Sequence, residues 1–196
     1  MEDALVASTL GVDALGFVFY PPSPRYVLTE TAAEIIAQLP PFVTSVGLFV
    51  NHSAEEVQAV LNKVDLNILQ FHGDETDDFC QAFGRPFYKA VGVEGEADLD
   101  ELSATYPHAS ALLLDTHDPV LKGGTGRSFD WSLVGESRIK PVILAGGLNP
   151  SNVRTAIQQV KPYAVDVSGG VEASKGIKDA ELMKAFLSEV YREHAS

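Results

Sequence analysis

Residues 1–20 read MEDALVASTLGVDALGFVFY, a helix first and a strand second. Glu2 and Asp3 stand where a first helical turn favours acids. Val6 and Leu10 share a helical face, and Gly11 can close the helix. Ala14 to Phe19 then runs as a continuous apolar strand of the kind buried on both faces. Strand and helix alternate from there to the C-terminus. A cycle of that kind normally starts with a strand, so this opening sets the question of where the first strand is.

Six further apolar runs follow: Ser45 to Val50, Asn67 to Phe71, Phe87 to Val93, Ser110 to Asp115, Pro141 to Gly146 and Tyr163 to Ser168. Helical patterns lie between them. Thr31 with Glu34 and Ser53 with Glu56 have capping-box spacing, and Asn149 followed by Pro150 reads as an N-cap and first helical residue. Val153, Ala156, Ile157 and Val160 form one apolar stripe, and Met183, Phe186, Leu187 and Val190 another. No linker or low-complexity tract interrupts the chain, so residues 1–196 read as one domain.

Alternating strands and helices imply an α/β fold with a parallel sheet. All the strands are apolar, with no obvious polar edge strand. A unit of about 25 residues also brings eight units near the ~200-residue lower limit of a (β/α)₈ TIM barrel. The expectation is that barrel with eight helices and seven strands, the first strand missing.

The totals bound the function. The chain has 196 residues, 45% of them hydrophobic, and a net charge of −13; its pI is about 4.6 and its mean hydropathy +0.05. That charge argues against nucleic acid or an anionic membrane as partner. No apolar run approaches the ~18 residues of a membrane span, and the acidic start lacks the basic region of a signal peptide. A single cysteine, Cys80, excludes an internal disulfide and fits a cytoplasmic protein. Its place in a helical run fits a small core residue rather than a nucleophile.

In a barrel the chemistry sits just past the C-terminal ends of the strands. After the last two strands come AGGLNPSNV and DVSGGVEAS, with Gly146, Gly147, Ser168, Gly169 and Gly170 in the turns. Such turns either make tight connections only, or let backbone N–H groups cradle a phosphate; their joint occurrence in these two loops favours phosphate. Asp115 ends the run ALLLD, where partial desolvation suits a general acid. The long segment after it holds Gly123, Gly124 and Gly126 and can fold over a ligand. Arg25, in the proline-stiffened FYPPSPRYV, is either a solvated surface residue or a bidentate carboxylate ligand. His72, in QFHGDE, either lines the pocket or satisfies a loop carbonyl. Asp166 lies within an apolar strand and needs a partner, either as an orienting group or as a tie in the interior.

These motifs together resemble the phosphoribosylanthranilate isomerase family of tryptophan biosynthesis. GFVFYPPSPRYV, LNILQFHGDE, LLLDTHDPVLKGGTGRSFDW, LAGGLNPSNV and AVDVSGGVE occur in the family's order over essentially the whole chain. The resemblance implies a (β/α)₈ barrel acting on a small phosphorylated substrate. The implied reaction is an Amadori rearrangement of N-(5′-phosphoribosyl)anthranilate to 1-(o-carboxyphenylamino)-1-deoxyribulose 5-phosphate, without metal or organic cofactor. It casts Asp115 as general acid and Asp166 as a supporting polar residue. The glycine turns, with Gly124 and Gly126, then suit the phosphate, and Arg25 the anthranilate carboxylate. Members of the family begin with a strand ending in a Lys-Ile-Cys-Gly-Ile-Thr-like motif whose cysteine is the general base. The sequence begins at the following helix, through a misplaced start or as a short relative. A non-catalytic phosphate-ligand binder with the same pocket is therefore the rival reading. A neighbouring phosphate-barrel enzyme such as indoleglycerol-phosphate synthase is a third, but no strand clearly ends in the lysine that the synthase needs.

Overall fold

The computed structural model describes residues 1–93, 98–116, 130–135 and 139–194. Seven strands form one all-parallel sheet in chain order, β1 to β7, and its two outermost strands are not paired with each other. The strands are β1 (Ala14–Val18), β2 (Thr44–Phe49), β3 (Ile68–Phe71), β4 (Phe87–Val93), β5 (Ala111–Thr116), β6 (Val142–Leu144) and β7 (Ala164–Val165). All seven apolar runs of the sequence are thus strands, though the last two are short. A two-stranded antiparallel hairpin, β8 (Glu172–Ser174) with β9 (Ile177–Lys178), follows the sheet.

The helices are α1 (Glu2–Leu10), α2 (Thr29–Ile36), α3 (Ala54–Leu61), α4 (Asp77–Gln81), α5 (Leu99–Thr105), α6 (Val153–Val160) and α7 (Ala180–His194). Among the described residues there are seven α-helices, not the eight expected. Between β5 and β6 the described residues close only a 3-10 turn, Trp131–Leu133, capped by the Asp130 carboxylate on Ser132 N–H. Val134 then turns extended and ends it.

Local chemistry explains most of the boundaries. Gly11 closes α1 at φ +91°, a conformation that glycine adopts without strain. Ser53 and Glu56 make the reciprocal capping box at the start of α3. Thr31 caps nothing, because α2 begins at Thr29. Val27 N–H is tied to Val18 O at 2.9 Å, so the chain reaches Leu28 extended and turns into the helix at once. The helix after β6 begins at Val153, later than Pro150. Asn149 still caps the turn before it, its Oδ1 accepting from Ser151 N–H at 2.9 Å.

Side chains alternate between the two faces of the sheet. Outward residues meet the helices in two main cores. Phe17, Phe49, Leu69, Phe71 and Phe87 join residues from α2, α3 and α4, including fully buried Cys80. Leu144 joins Ala7 of α1, Val153, Ala156 and Val160 of α6, and Met183 and Phe186 of α7. The two helical stripes read from the sequence are the buried faces of α6 and α7. Burial pushes the Cys80 thiol up to about 12, as befits an inert core residue.

The sheet is strongly curled. His72, just past β3, and Asp115 of β5 lie 3.4 Å apart, although β4 runs between their strands. Arg25, after β1, and Glu172, after β7, also lie 2.6 Å apart, whereas the outermost strands of a flat seven-stranded sheet would stand about 29 Å apart. Curling stops short of closure, and β1 and β7 remain as edges. β1 is therefore not the doubly buried strand expected from its composition: Ala14 and Gly16 are exposed. Its outer edge is partly covered where Val27 bonds back to Val18.

Candidate active site at the C-terminal mouth

The inner face of the sheet is apolar low down and polar at the mouth. Ala90, Leu113 and Ala145 pack together there with Tyr88 and Ile143. Above them four polar side chains form a chain. Tyr88 Oη donates to Gln70 Oε1 at 3.1 Å, and Gln70 Nε2 meets His72 Nδ1 at 3.0 Å. His72 Nε2 then faces Asp115 Oδ2 at 3.4 Å. Gln70 and Asp115 are buried, at 4% and 7% exposure. Asp115 is held from its other side as well, because Thr116 N–H donates to its Oδ1 at 2.7 Å. Of the two readings open for His72, the ring meets Gln70 and Asp115, not a loop carbonyl.

Asp166 sits just beyond β7, and its N–H continues the ladder to Leu144 O at 2.8 Å. It is not the buried strand acid that its apolar neighbours implied, because β7 ends at Val165 on the open edge and leaves the side chain exposed. Surrounding protein pushes the Asp166 carboxyl above the ordinary range, and the charge of Asp115 adds to this. His72 and Lys178 pull the other way. Water reaching the exposed carboxylate screens the effect, so the rise is smaller than enclosure alone would give.

The glycine turns stand beside Asp115. Gly146 adopts φ +81°, and a Cβ there would lie 2.9 Å from Asp115 Oδ1 and 2.5 Å from Thr116 Oγ1. Only glycine lets the loop after β6 pass this close to the acid. Gly170 is pressed against the Leu148 carbonyl, leaving no room for a Cβ. This locks the loop after β7 onto the loop after β6. The N–H groups of Gly146 and Gly147 have no acceptor among the described residues, whereas Gly147 O accepts from Asn149 and Asn152. Gly169 begins a 3-10 turn, and Ser168 O accepts from Lys178 Nζ at 2.9 Å. Gly123, Gly124 and Gly126 lie outside the described residues.

Arg25 is pinned. Its Nε and Nη2 donate to the two Glu172 oxygens at 2.6 and 2.7 Å, and Lys178 Nζ also reaches Glu172 Oε1 at 3.0 Å. Burial pushes the Glu172 carboxyl up, but the hydrogen bonds from Arg25 and Lys178 outweigh it and hold the group below its ordinary value. The loop after β1 is thereby clamped to the β8–β9 hairpin.

Sequence reasoning missed this clamp, the Gln70–Tyr88 pair and a buried charge pair. Lys89, 2% exposed, donates to the carbonyls of Phe71, Gly73 and Ala90. Its Nζ also lies 3.6 Å from Glu75. Glu75 in turn accepts from the N–H groups of Asn51 and Gly73. The pair ties the loops after β2 and β3 together directly behind His72. The signal was present in FYKAVGV: a lysine in a buried strand must find a partner.

A concave parallel sheet with helices outside, and an acid, an imidazole and glycine turns converging at its C-terminal mouth, defines a (β/α)-barrel type of enzyme. The family model for N-(5′-phosphoribosyl)anthranilate (PRA) isomerase matches residues 1–189, and the chain belongs to that family. It is 64% identical over 194 residues to N-(5′-phosphoribosyl)anthranilate isomerase of Hahella chejuensis, covering 99% of this chain and 91% of that one. The isomerase of Azotobacter vinelandii is 57% identical over 190 residues, covering 97% and 92%. Among solved structures, the isomerase of Thermotoga maritima superposes with a TM-score of 0.88 at 45% identity, covering 97% of this chain and 94% of that one. A phosphoribosylanthranilate isomerase bound to reduced 1-(o-carboxyphenylamino)-1-deoxyribulose 5-phosphate is 44% identical with a TM-score of 0.85, covering 97% and 93%.

Proposed function

We propose that the chain isomerises N-(5′-phosphoribosyl)anthranilate in tryptophan biosynthesis, with Asp115 as general acid. The observation that carries this reading is the placement of Asp115. It is buried at the end of β5, faces His72 at 3.4 Å and adjoins the Gly146 turn. Asp115 gives its proton to the furanose ring oxygen. The C1–O bond breaks with its electron pair going to that oxygen, and the anilino nitrogen lone pair forms the C=N⁺ bond. A base then removes the C2 proton, and the resulting enolamine tautomerises to the ketone.

The N–H groups of Gly146 and Gly147, with the turn of Ser168, Gly169 and Gly170, suit the phosphate. Gly124 and Gly126 join them by resemblance. Glu172 occupies the Nε/Nη2 edge of Arg25 and leaves the Nη1/Nη2 edge for the anthranilate carboxylate. Asp166 supports the polar mouth from the β7 side. The two open sheet edges favour one further strand between β7 and β1, completing a (β/α)₈ barrel and bringing the cysteine base that the family resemblance implies. A sheet left open would bind the ligand without turning it over. We read the chain as one cytoplasmic domain; among the described residues no helix is long and apolar enough to cross a membrane.

Turnover tests this directly. The protein extended by a strand ending in the cysteine motif is expected to isomerise phosphoribosylanthranilate. Asp115→Asn in that protein keeps the fold and loses roughly 10²–10⁴ in rate, the usual contribution of a general acid. Near-normal kcat in Asp115→Asn would remove Asp115 from the mechanism.

A further inference from the structure

Three polar side chains behind Asp115 are tied in a single line, and each link constrains the next. Gln70 is 4% exposed, and its amide lies between Tyr88 Oη at 3.1 Å and His72 Nδ1 at 3.0 Å. With Tyr88 donating to Oε1, the Gln70 NH₂ must point at His72. Nδ1 is then an acceptor, so neutral His72 carries its proton on Nε2. That N–H faces Asp115 Oδ2 at 3.4 Å.

The reversed amide has a different consequence. Gln70 Oε1 facing Nδ1 requires an Nδ1–H ring, whose bare Nε2 then faces the Asp115 carboxyl. A bare imidazole nitrogen accepts a proton, and the proton nearest to it is the one Asp115 must deliver to the substrate. The relay therefore decides whether His72 steadies the carboxylate left after proton donation or intercepts the proton before it.

We propose that Gln70 and Tyr88 are positioning residues for the acid step: Tyr88 orients the Gln70 amide, and Gln70 fixes His72 as the Nε2–H tautomer that supports Asp115. The proposal rests on Asp115 as the general acid. Neither residue acts on the reacting atoms directly; both act through His72. Burial raises the Tyr88 hydroxyl, with the charge of Asp166 adding to it, so the group stays protonated and able to donate across the neutral range.

The test is long-range ¹H–¹⁵N NMR of the His72 ring, assigned by its loss in His72→Gln, together with kcat and KM, all in the protein extended by the cysteine-bearing strand. The native protein should show Nε2 protonated and Nδ1 bare. Gln70→Glu places an acceptor-only carboxylate against Nδ1, so the ring should become Nδ1–H or doubly protonated. Tyr88→Phe frees the amide to turn, and a mixture of tautomers is expected. In both variants kcat should fall roughly tenfold or more, part of the ~10²–10⁴ that acid catalysis supplies, with KM for phosphoribosylanthranilate within twofold. An Nδ1–H ring in the native protein, or a tautomer unmoved by Gln70→Glu, would overturn the relay. If Tyr88→Phe unfolds, Gln70→Glu still decides. The NMR readout needs no turnover, so an active Asp115→Asn refutes the acid assignment while the tautomer is read separately.

Discussion

The two halves of the sheet are built differently. Around β1 to β4 the outer face is a phenylalanine cluster: the Phe71 ring centre lies within 6.0 Å of those of Phe49, Phe79, Phe83 and Phe87. Around β6 and β7 the strands shrink to three and two residues, and glycine turns replace aromatic packing. β5, with its buried acid, stands at the boundary. Aromatic rings fill the core of the first half, whereas the second half joins a mostly aliphatic core around Leu144, Val153 and Met183 to loop-to-loop contacts such as Gly170 on Leu148. Long strands on one side supply stability, and short strands on the other leave backbone free to meet a ligand. The division predicts that changes in the first half act on folding and changes at the mouth act on the ligand.

Phe71→Ala offers the strongest challenge to that division. It should destabilise the protein by about 3–5 kcal/mol, read as a lowered denaturation midpoint, while the folded fraction still binds the reduced product analogue with unchanged affinity. A large loss of affinity in the folded fraction would show that the two halves are not separable.

Arg25→Ala should act chiefly on the ligand, beyond the stability lost with the Glu172 clamp. It should weaken ligands bearing the anthranilate carboxylate by roughly 1.5–3 kcal/mol, the worth of a charge-assisted hydrogen bond, and weaken ribose phosphate alone far less. Calorimetric titration of both ligands checks this, and equal losses would identify Arg25 as a purely structural partner of Glu172.

The Glu172 clamp sharpens the contrast through pH. Its carboxyl is held below the ordinary 4.5 in the folded protein. A depressed acid contributes stability above its unfolded value, and that contribution is lost as pH falls through the folded value. Glu172→Gln should therefore lower the thermal midpoint at pH 7. The gap to the native protein should narrow as the pH drops below about 4.5, the ordinary value. A gap of constant size down to pH 3 would show that ionisation of Glu172 contributes nothing.

The smallest effect is expected at Ser53. Removing its cap on Glu56 N–H by Ser53→Ala should cost about 1 kcal/mol, visible in urea denaturation and without effect on ligand affinity.

Much of this protein was legible in one dimension. Seven apolar runs became seven parallel strands because short β-branched and aliphatic stretches between helical patterns suit a parallel sheet covered by helices. Val153, Ala156 and Val160, like Met183 and Phe186, recur at helical spacing, and those residues are the buried ones. Ser53 and Glu56 announced a helix start by local bonds alone. Asp115 was legible because an acid directly after three leucines stands where a strand leaves the core. Where local signals competed with long-range ones, the reading failed. Thr31 had the spacing of a cap, but a bond from Val27 to β1 moved the helix start. Asp166 looked buried by composition, but the strand ends one residue before it, at an open edge.

The sequence by itself determined the order of elements, the parallel class and the position of the acid, because hydrophobic period and end-of-strand chemistry are local properties. Only the tertiary structure decided which groups meet. Curling of the sheet brings His72 and Asp115 to 3.4 Å across an intervening strand. It also lines up Gln70 and Tyr88 behind them, and it joins Arg25 to Glu172 across 147 positions of chain. No periodicity records such contacts: strand twist and side-chain packing set the curvature, and they act on the whole sheet at once.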